Sequence, residues 1–402
     1  MTRREFLWGA ATAAHQIEGN NTASDWWRLE QSGHPRIVEP SGAAMDSYNR
    51  WGEDMDLLAG AGFTDYRFSV EWARIEPSPG RIDREQISHY DDMITGAIER
   101  GLRPMVTLHH FTVPQWFEDA GGWTAPAAIE QFAAYVEAVC PILESRVRRV
   151  CTINEPNIIA LMPALLSVKD GIMPMPDPAL TDAMIRAHHA ARAVLRAHDA
   201  GIGVGWSVAS LNPQPDPRSA EDVTAIVADL RQVLEAVFYR AARDDDWVGV
   251  QAYSRKLIGC VDGTVTIGQP PDGTPMTING WEVYPEALGE AVQEAALSVG
   301  TVPIIVTENG IATADDDERI AYTTQALAGL RLAMADGVDV RGYFHWSLLD
   351  NYEWGSFAPT FGLVSVDRTT FTRTPKPSLR WLGGLGASFL SGGEPAGPPM
   401  PS

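Results

Sequence analysis

The sequence predicts an α/β protein folded as a single (β/α)8 barrel, and three observations carry that prediction. Eight short apolar runs recur along the 402 residues, segments of helical period lie between them, and no Ser/Gly-rich linker divides the chain before Leu382. The length fits either two ordinary domains or one large barrel, and no internal repeat points to a solenoid. One catalytic domain over residues 1–385 is therefore expected, followed by a Gly/Pro-rich tail over 386–402 too poor in apolar residues to fold.

The expected strands are 5–10, 63–70, 103–108, 149–153, 202–208, 247–253, 302–307 and 341–346; the expected helices are 54–61, 87–100, 127–143, 182–198, 220–243, 285–299 and 318–336. At the first strand, Arg3-Arg4-Glu5-Phe6-Leu7 and the alanines after it imitate a twin-arginine export signal. The apolar run is short and contains Trp8 and Gly9, so it is read as part of the fold. Val302-Pro303-Ile304-Ile305-Val306 is β-branched and nearly unbroken, which suits a parallel strand buried on both faces. The Pro-rich stretches 38–44, 174–178, 212–217 and 269–275 are placed as loops on the barrel rim, and Asp315-Asp316-Asp317-Glu318 as a solvated loop or helix start.

A net charge of −21, from 52 acidic and 31 basic residues, argues against nucleic-acid or anionic-membrane partners. The three cysteines are too few and scattered for a disulfide framework or a zinc site and fit buried thiols in a reducing compartment. No run approaches the roughly 18 consecutive apolar residues of a membrane span, so a soluble, cytoplasmic protein is expected. The oligomeric state is left open.

In such a barrel the C-terminal ends of the strands converge on one site. Those ends supply Gln16 and Glu18, Arg67, His109 and His110, Asn154 and Glu155, Gln251 and Tyr253, Glu308, and Trp346. Carboxylates, an arginine, amides and an indole suit polyol binding and acid/base chemistry, and no Gly-rich phosphate loop appears. Glu308 alone reads equally well as a turn residue, with Gly310 at positive φ. Set beside Glu155 it gains a partner: glycoside cleavage through a covalent intermediate needs a nucleophilic carboxylate and a carboxylic acid about 5–5.5 Å apart, with their pKa values driven apart. Arg67 is the candidate cation that keeps Glu308 ionised, its bland alternative being an ion pair with Asp65 or Glu71. Tyr253 is a second donor to Glu308, leaving Glu155 as the acid.

These stretches resemble glycoside hydrolase family 1, the retaining β-glucosidases and their relatives, from Phe6 to about Ser378. Thr152-Ile153-Asn154-Glu155-Pro156 resembles the family's acid/base motif and Val306-Thr307-Glu308-Asn309-Gly310 its nucleophile motif; Phe6 to Gly19, Tyr66-Arg67-Phe68-Ser69 and Gly280 to Pro285 also match. The resemblance implies that Gln16 and His110 bind the glycon, with His109 behind; that Asn154 holds the 2-hydroxyl; that Trp346 floors the sugar; and that Glu353 and Trp354 meet its distal hydroxyls. A carboxylate at Glu353 would repel a 6-phosphate. Trp281 either stacks on the aglycone or packs. The chain departs from the family pattern at Asn157 and the stretch 158–166, at Gln251, which stands to reorient Glu308, and in a short turn after Trp354.

The reading is a retaining exo-β-glycosidase, a β-glucosidase that also takes galactosides or fucosides, with a small-molecule β-glycoside as partner and no metal or organic cofactor. Two alternatives stand beside it. One is a metal-dependent hydrolase on the same barrel using His109, His110, His345 and a glutamate, against which adjacent strand residues point to opposite faces. The other is a catalytically weak sugar-binding protein on the same scaffold.

Overall fold

The computed structural model describes residues 6–167, 171–386 and 388–389. Eight parallel strands close a barrel: β1 Leu7–Ala11, β2 Asp65–Ser69, β3 Arg103–Thr107, β4 Arg149–Asn154, β5 Gly203–Ser210, β6 Val248–Ala252, β7 Ile304–Glu308 and β8 Val340–Trp346. Each strand pairs with its neighbours in sequence, and β1 closes the ring by pairing Ala10 with His345 of β8 and with Tyr66 of β2.

Alternation along the strands separates two cores. Leu7, Met105, Cys151, Ile305 and Phe344 fill the barrel, whereas Ala10, Val106, Val150, Ile304 and Val306 pack outward under the helices. This is why the β7 run is apolar at every position. The outer helices include Ser47–Gly60, Arg84–Glu99, Ala128–Leu143, Pro178–His198, Ala287–Val299 and Asp316–Ala335. Asp83, Asp177 and Asp315 cap three of them by accepting from backbone N–H groups of the first turn. The acidic run at 315–318 is thus a helix start, where carboxylates meet the positive end of the helix dipole.

Two segments differ from the expected elements. The helix expected over 220–243 runs as Thr224–Arg231, a π turn over Gln232–Ala236, and Val237–Ala241. Within that turn the Glu235 carboxylate accepts from Ser210 Oγ at 3.0 Å, Leu211 N at 2.8 Å and Asn212 N at 3.3 Å, securing the end of β5. On the rim, Pro213–Pro215, Lys256–Val261 and Thr264–Gly268 form a small sheet where only a loop over 212–217 is expected.

Arg3 and Arg4 lie outside the described residues, as does the tail expected over 386–402 apart from Gly386, Ser388 and Phe389. Phe389 is buried, its ring 5.3 Å from Phe6 and 5.1 Å from Trp8. All three cysteines are buried and free.

Candidate active site

A pocket of about 490 Å³ opens at the C-terminal ends of the strands. Gln16, His110, Asn154, Glu155, Tyr253, Trp281, Glu308, Trp346, Glu353 and Trp354 line it. Arg67, the remaining expected site residue, is fully buried on β2.

Arg67 organises the polar floor. Its Nη1 donates to Glu308 Oε1 at 2.6 Å and to the Thr307 carbonyl at 3.3 Å, its Nη2 to Asn154 Oδ1 at 2.5 Å, and its Nε to Thr107 Oγ1 at 3.1 Å. Of the two partners in the bland reading, Asp65 is taken by Arg103 at 2.5 Å and Glu71 accepts from Thr112 Oγ1 at 2.8 Å. Tyr253 donates its hydroxyl to Glu308 Oε2 at 2.5 Å, so both carboxylate oxygens of Glu308 are held. Thr107, absent from the sequence reading, fixes the guanidinium; a mid-strand threonine carries no signal of such a role.

Gly310 is not at positive φ. It is glycine because a Cβ there would sit 2.0 Å from the Trp346 carbonyl oxygen. That close approach lets Trp346 N donate to the Asn309 carbonyl at 2.9 Å and joins the ends of β7 and β8. Glu155 leaves β4 with φ of 48°, a left-handed conformation, and directly precedes the helix Pro156–Ser167.

Burial raises the pKa of both carboxylates, and their surroundings then separate them. For Glu308 the Arg67 cation and the Tyr253 hydroxyl oppose the rise. For Glu155 the neighbouring Glu308 charge adds to burial, and its pKa is driven well above the usual range, with Arg67 only partly compensating. The surroundings thus favour the charged form more at Glu308 than at Glu155. Burial also pushes Glu353 up to about 7, although Trp346 Nε1 donates to it at 3.1 Å.

The end of the pocket lined by Gln16 and His110 carries polar atoms with unused capacity. Gln16 Nε2 donates to Asn351 Oδ1 and the Tyr352 carbonyl, each at 3.0 Å, while its buried Oε1 has no partner among the described residues. His110 shares a hydrogen bond of 3.3 Å with Asn154 Nδ2 through its Nε2, its Nδ1 is unpartnered, and burial keeps it neutral. Its ring stacks near Trp346 and Trp354, with centroids at 5.8 and 6.1 Å.

Several strand-end residues do other work. Glu18 pairs with Arg74 at 2.8 Å and accepts from Tyr90. His109 packs edge-on against Trp123 and Phe132, and His345 contacts Tyr343, so these histidines do not converge with His110 on one point. Gln251 stands beside Glu308 in the ladder, but its Nε2 donates to Asn154 Oδ1 at 2.7 Å, so its hydrogen bond acts on the asparagine. Asn157 is buried and clasps the Ala209 peptide, giving 2.7 Å to its carbonyl and taking 3.2 Å from its N–H; the rim is lined by Ile158, Met162, Leu165 and Leu166 instead. Trp281 lines the pocket and also packs near Tyr253 and Phe361, at 5.7 and 6.3 Å. Phe361, Leu211 and Ile37 line it too, from segments with no sequence signal.

Known proteins share this fold. A β-glycosidase of solved structure, BGL167, superposes with a TM-score of 0.89 at 38% identity, covering 100% of this chain and 99% of its own. The thermostable β-glucosidase B of Thermobispora bispora is 32% identical over 94% of this chain and 88% of its own length. The bifunctional β-D-glucosidase/β-D-fucosidase of Bifidobacterium breve is 29% identical over 94% and 96%. The sequence model of glycosyl hydrolase family 1 matches residues 1–240 and 263–388, and the chain belongs to that family.

Proposed function

We propose that the chain is a retaining exo-β-glycosidase acting foremost on terminal β-D-glucosyl residues, with fucosides and galactosides as further substrates. The observation that carries this reading is the split between two neighbouring carboxylates: Glu308 held by Arg67 and Tyr253, Glu155 raised by burial and by the charge of Glu308. Glu308 attacks the anomeric carbon as Glu155 gives its proton to the glycosidic oxygen, and the C–O bond to the leaving group breaks. In the second step Glu155, now a carboxylate, takes a proton from water; the resulting hydroxide oxygen attacks the same carbon and releases Glu308. Asn154 holds the 2-hydroxyl, where contacts strengthen as oxocarbenium character develops; Gln16, His110, Trp346, Glu353 and Trp354 hold the rest of the glycon. The relative from B. breve, a glucosidase and fucosidase, supports tolerance at C6. Glu353 disfavours a 6-phosphate once ionised.

The test is Glu308→Gly. Turnover of an aryl β-glucoside is lost, and azide restores it with an α-glucosyl azide as product. Full turnover by the unrescued variant would overturn the nucleophile assignment. A cytoplasmic location belongs to the same proposal, supported by three buried free thiols, and fractionation of producing cells checks it.

A further inference from the structure

We infer that the leaving-group side of this pocket is built for an apolar, non-sugar aglycone, an alcohol of the long-chain alkyl or fused-ring terpenoid kind; the inference rests on the glycosidase reading above. Glu155, the proposed acid, contacts the leaving oxygen, so the surface next to it is where the aglycone lies. That surface is the helix Pro156–Ser167, which starts one residue later.

On this helix Ile158, Met162, Leu165 and Leu166 recur at steps of four, three and one and so share a face, and that face lines the pocket. They are not simply the buried side of a helix. Ile159, Ala160 and Leu161 go into the core, whereas the four pocket residues are half-buried or exposed, Leu166 to 42%. Leu29, Ile37 and Leu211 face the same space from other segments. A second cavity of about 850 Å³ shares Leu29, Met162 and Leu166 with the first, and beyond them its lining turns polar, with Arg28, Glu118 and Asp119, so the aliphatic stretch is the part next to Glu155.

Several polar groups at this mouth are engaged elsewhere. Arg36 donates to the Leu165 carbonyl, Ser254 Oγ to the Glu282 carbonyl at 2.8 Å and Ser210 Oγ to Glu235 at 3.0 Å, while the Lys256 ammonium lies 5.7 Å from the Trp281 ring centre. Lys256 also lines the pocket, but the hydroxyls of a second sugar laid against Ile158, Met162, Leu165 and Leu166 would lose water without compensation. An alkyl chain or terpenoid skeleton gains at every contact, by about two- to fourfold in affinity per methylene buried.

The experiment measures kcat/KM for ethyl, butyl, hexyl and octyl β-D-glucosides and for cellobiose, in the wild type and in Leu165→Asn, Met162→Gln and Met162→Leu. The expected wild-type result is a rise of about two- to fourfold per added methylene, with octyl glucoside above cellobiose. The octyl-to-ethyl ratio, taken within each variant so that the amount of folded enzyme cancels, falls about tenfold or more in the two polar variants and is kept in Met162→Leu. A flat series, a preference for cellobiose, or a ratio unmoved by both polar variants overturns the inference. No turnover of any of these glucosides, nor of 4-nitrophenyl β-D-glucoside, overturns the glycosidase reading and the inference with it.

Discussion

At the scale of single residues, the two carboxylates differ mainly in what touches them, and Arg67 makes the difference. Without its guanidinium, Glu308 stays buried with Tyr253 as its donor, so its protonated form is favoured and its pKa rises further. Since the proposed nucleophile acts ionised, Arg67→Met moves the acidic limb of the pH profile of kcat/KM to higher pH and lowers the plateau by about 10²–10³-fold. A profile measured with an aryl β-glucoside checks both; an unmoved limb removes Arg67 from this role. Gln251 gives a finer prediction. It is one of two donors to Asn154 Oδ1, so Gln251→Ala loosens the amide proposed to hold the 2-hydroxyl and costs about two- to tenfold in kcat/KM. The cost disappears with a 2-deoxy-β-glucoside, which has no hydroxyl for Asn154 to hold. Glu155, Glu308, Arg67 and Tyr253 were legible in sequence because chemistry demands those residue types at strand ends. The partner of Gln251 was not, because which of two nearby groups a flexible amide reaches is set by the barrel's register, where Gln251 stands opposite Glu308 in the ladder yet bonds across to β4.

At the scale of elements, the strands and most helices were legible because their apolar periods differ, two against 3.6, and their ends carry capping aspartates. The π turn at Gln232–Ala236 was not: it adds a residue without changing the apolar pattern, and its reason is a contact made by Glu235 with a distant loop. The small rim sheet was missed because Pro213–Pro215 is only three residues long and Thr264–Gly268, although it alternates Thr-Val-Thr-Ile, is short and nowhere fully buried. The turn after β7 makes the sharpest element-level prediction. Gly310→Ala places a methyl group 2.0 Å from the Trp346 carbonyl, a clash with backbone rather than with a side chain that can rotate. The ends of β7 and β8 must then separate, at a cost of about 3 kcal/mol or more. Urea unfolding would show this as a lowered midpoint, with activity reduced even where the protein folds, because Glu308 and Trp346 are the last residues of those strands. A midpoint equal to that of the wild type would mean that the close approach is unimportant.

For the whole molecule, acidity and burial act together on stability. Burial pushes Asp25, Glu235 and Glu353 up to about 7 and Asp65 to about 6, above the ordinary values of 3.8 for aspartate and 4.5 for glutamate. Between those ordinary values and about pH 7 the folded protein keeps protons that the unfolded chain has released. Stability therefore falls as pH rises through this window, and is fully present only below it. The net charge of −21 at pH 7 acts in the same direction through self-repulsion. Below the window, exposed carboxylates held by surface partners, such as Glu39 beside Arg368 and Asp216 beside Arg218, lose their small contributions as they protonate. The expected melting temperature is thus highest at about pH 4, near the ordinary carboxylate values, and declines towards pH 8. Salt separates the two causes: about 0.5 M sodium chloride shortens the Debye length to a few ångströms and relieves surface repulsion, while leaving the burial contribution in place. Glu235→Gln isolates one buried group, since the amide oxygen still accepts from Leu211 N and Asn212 N while the amide nitrogen meets the Ser210 hydroxyl. That variant melts with a shallower decline between pH 5 and pH 8, and a slope equal to the wild type's would show that Glu235 does not hold its proton in the folded state.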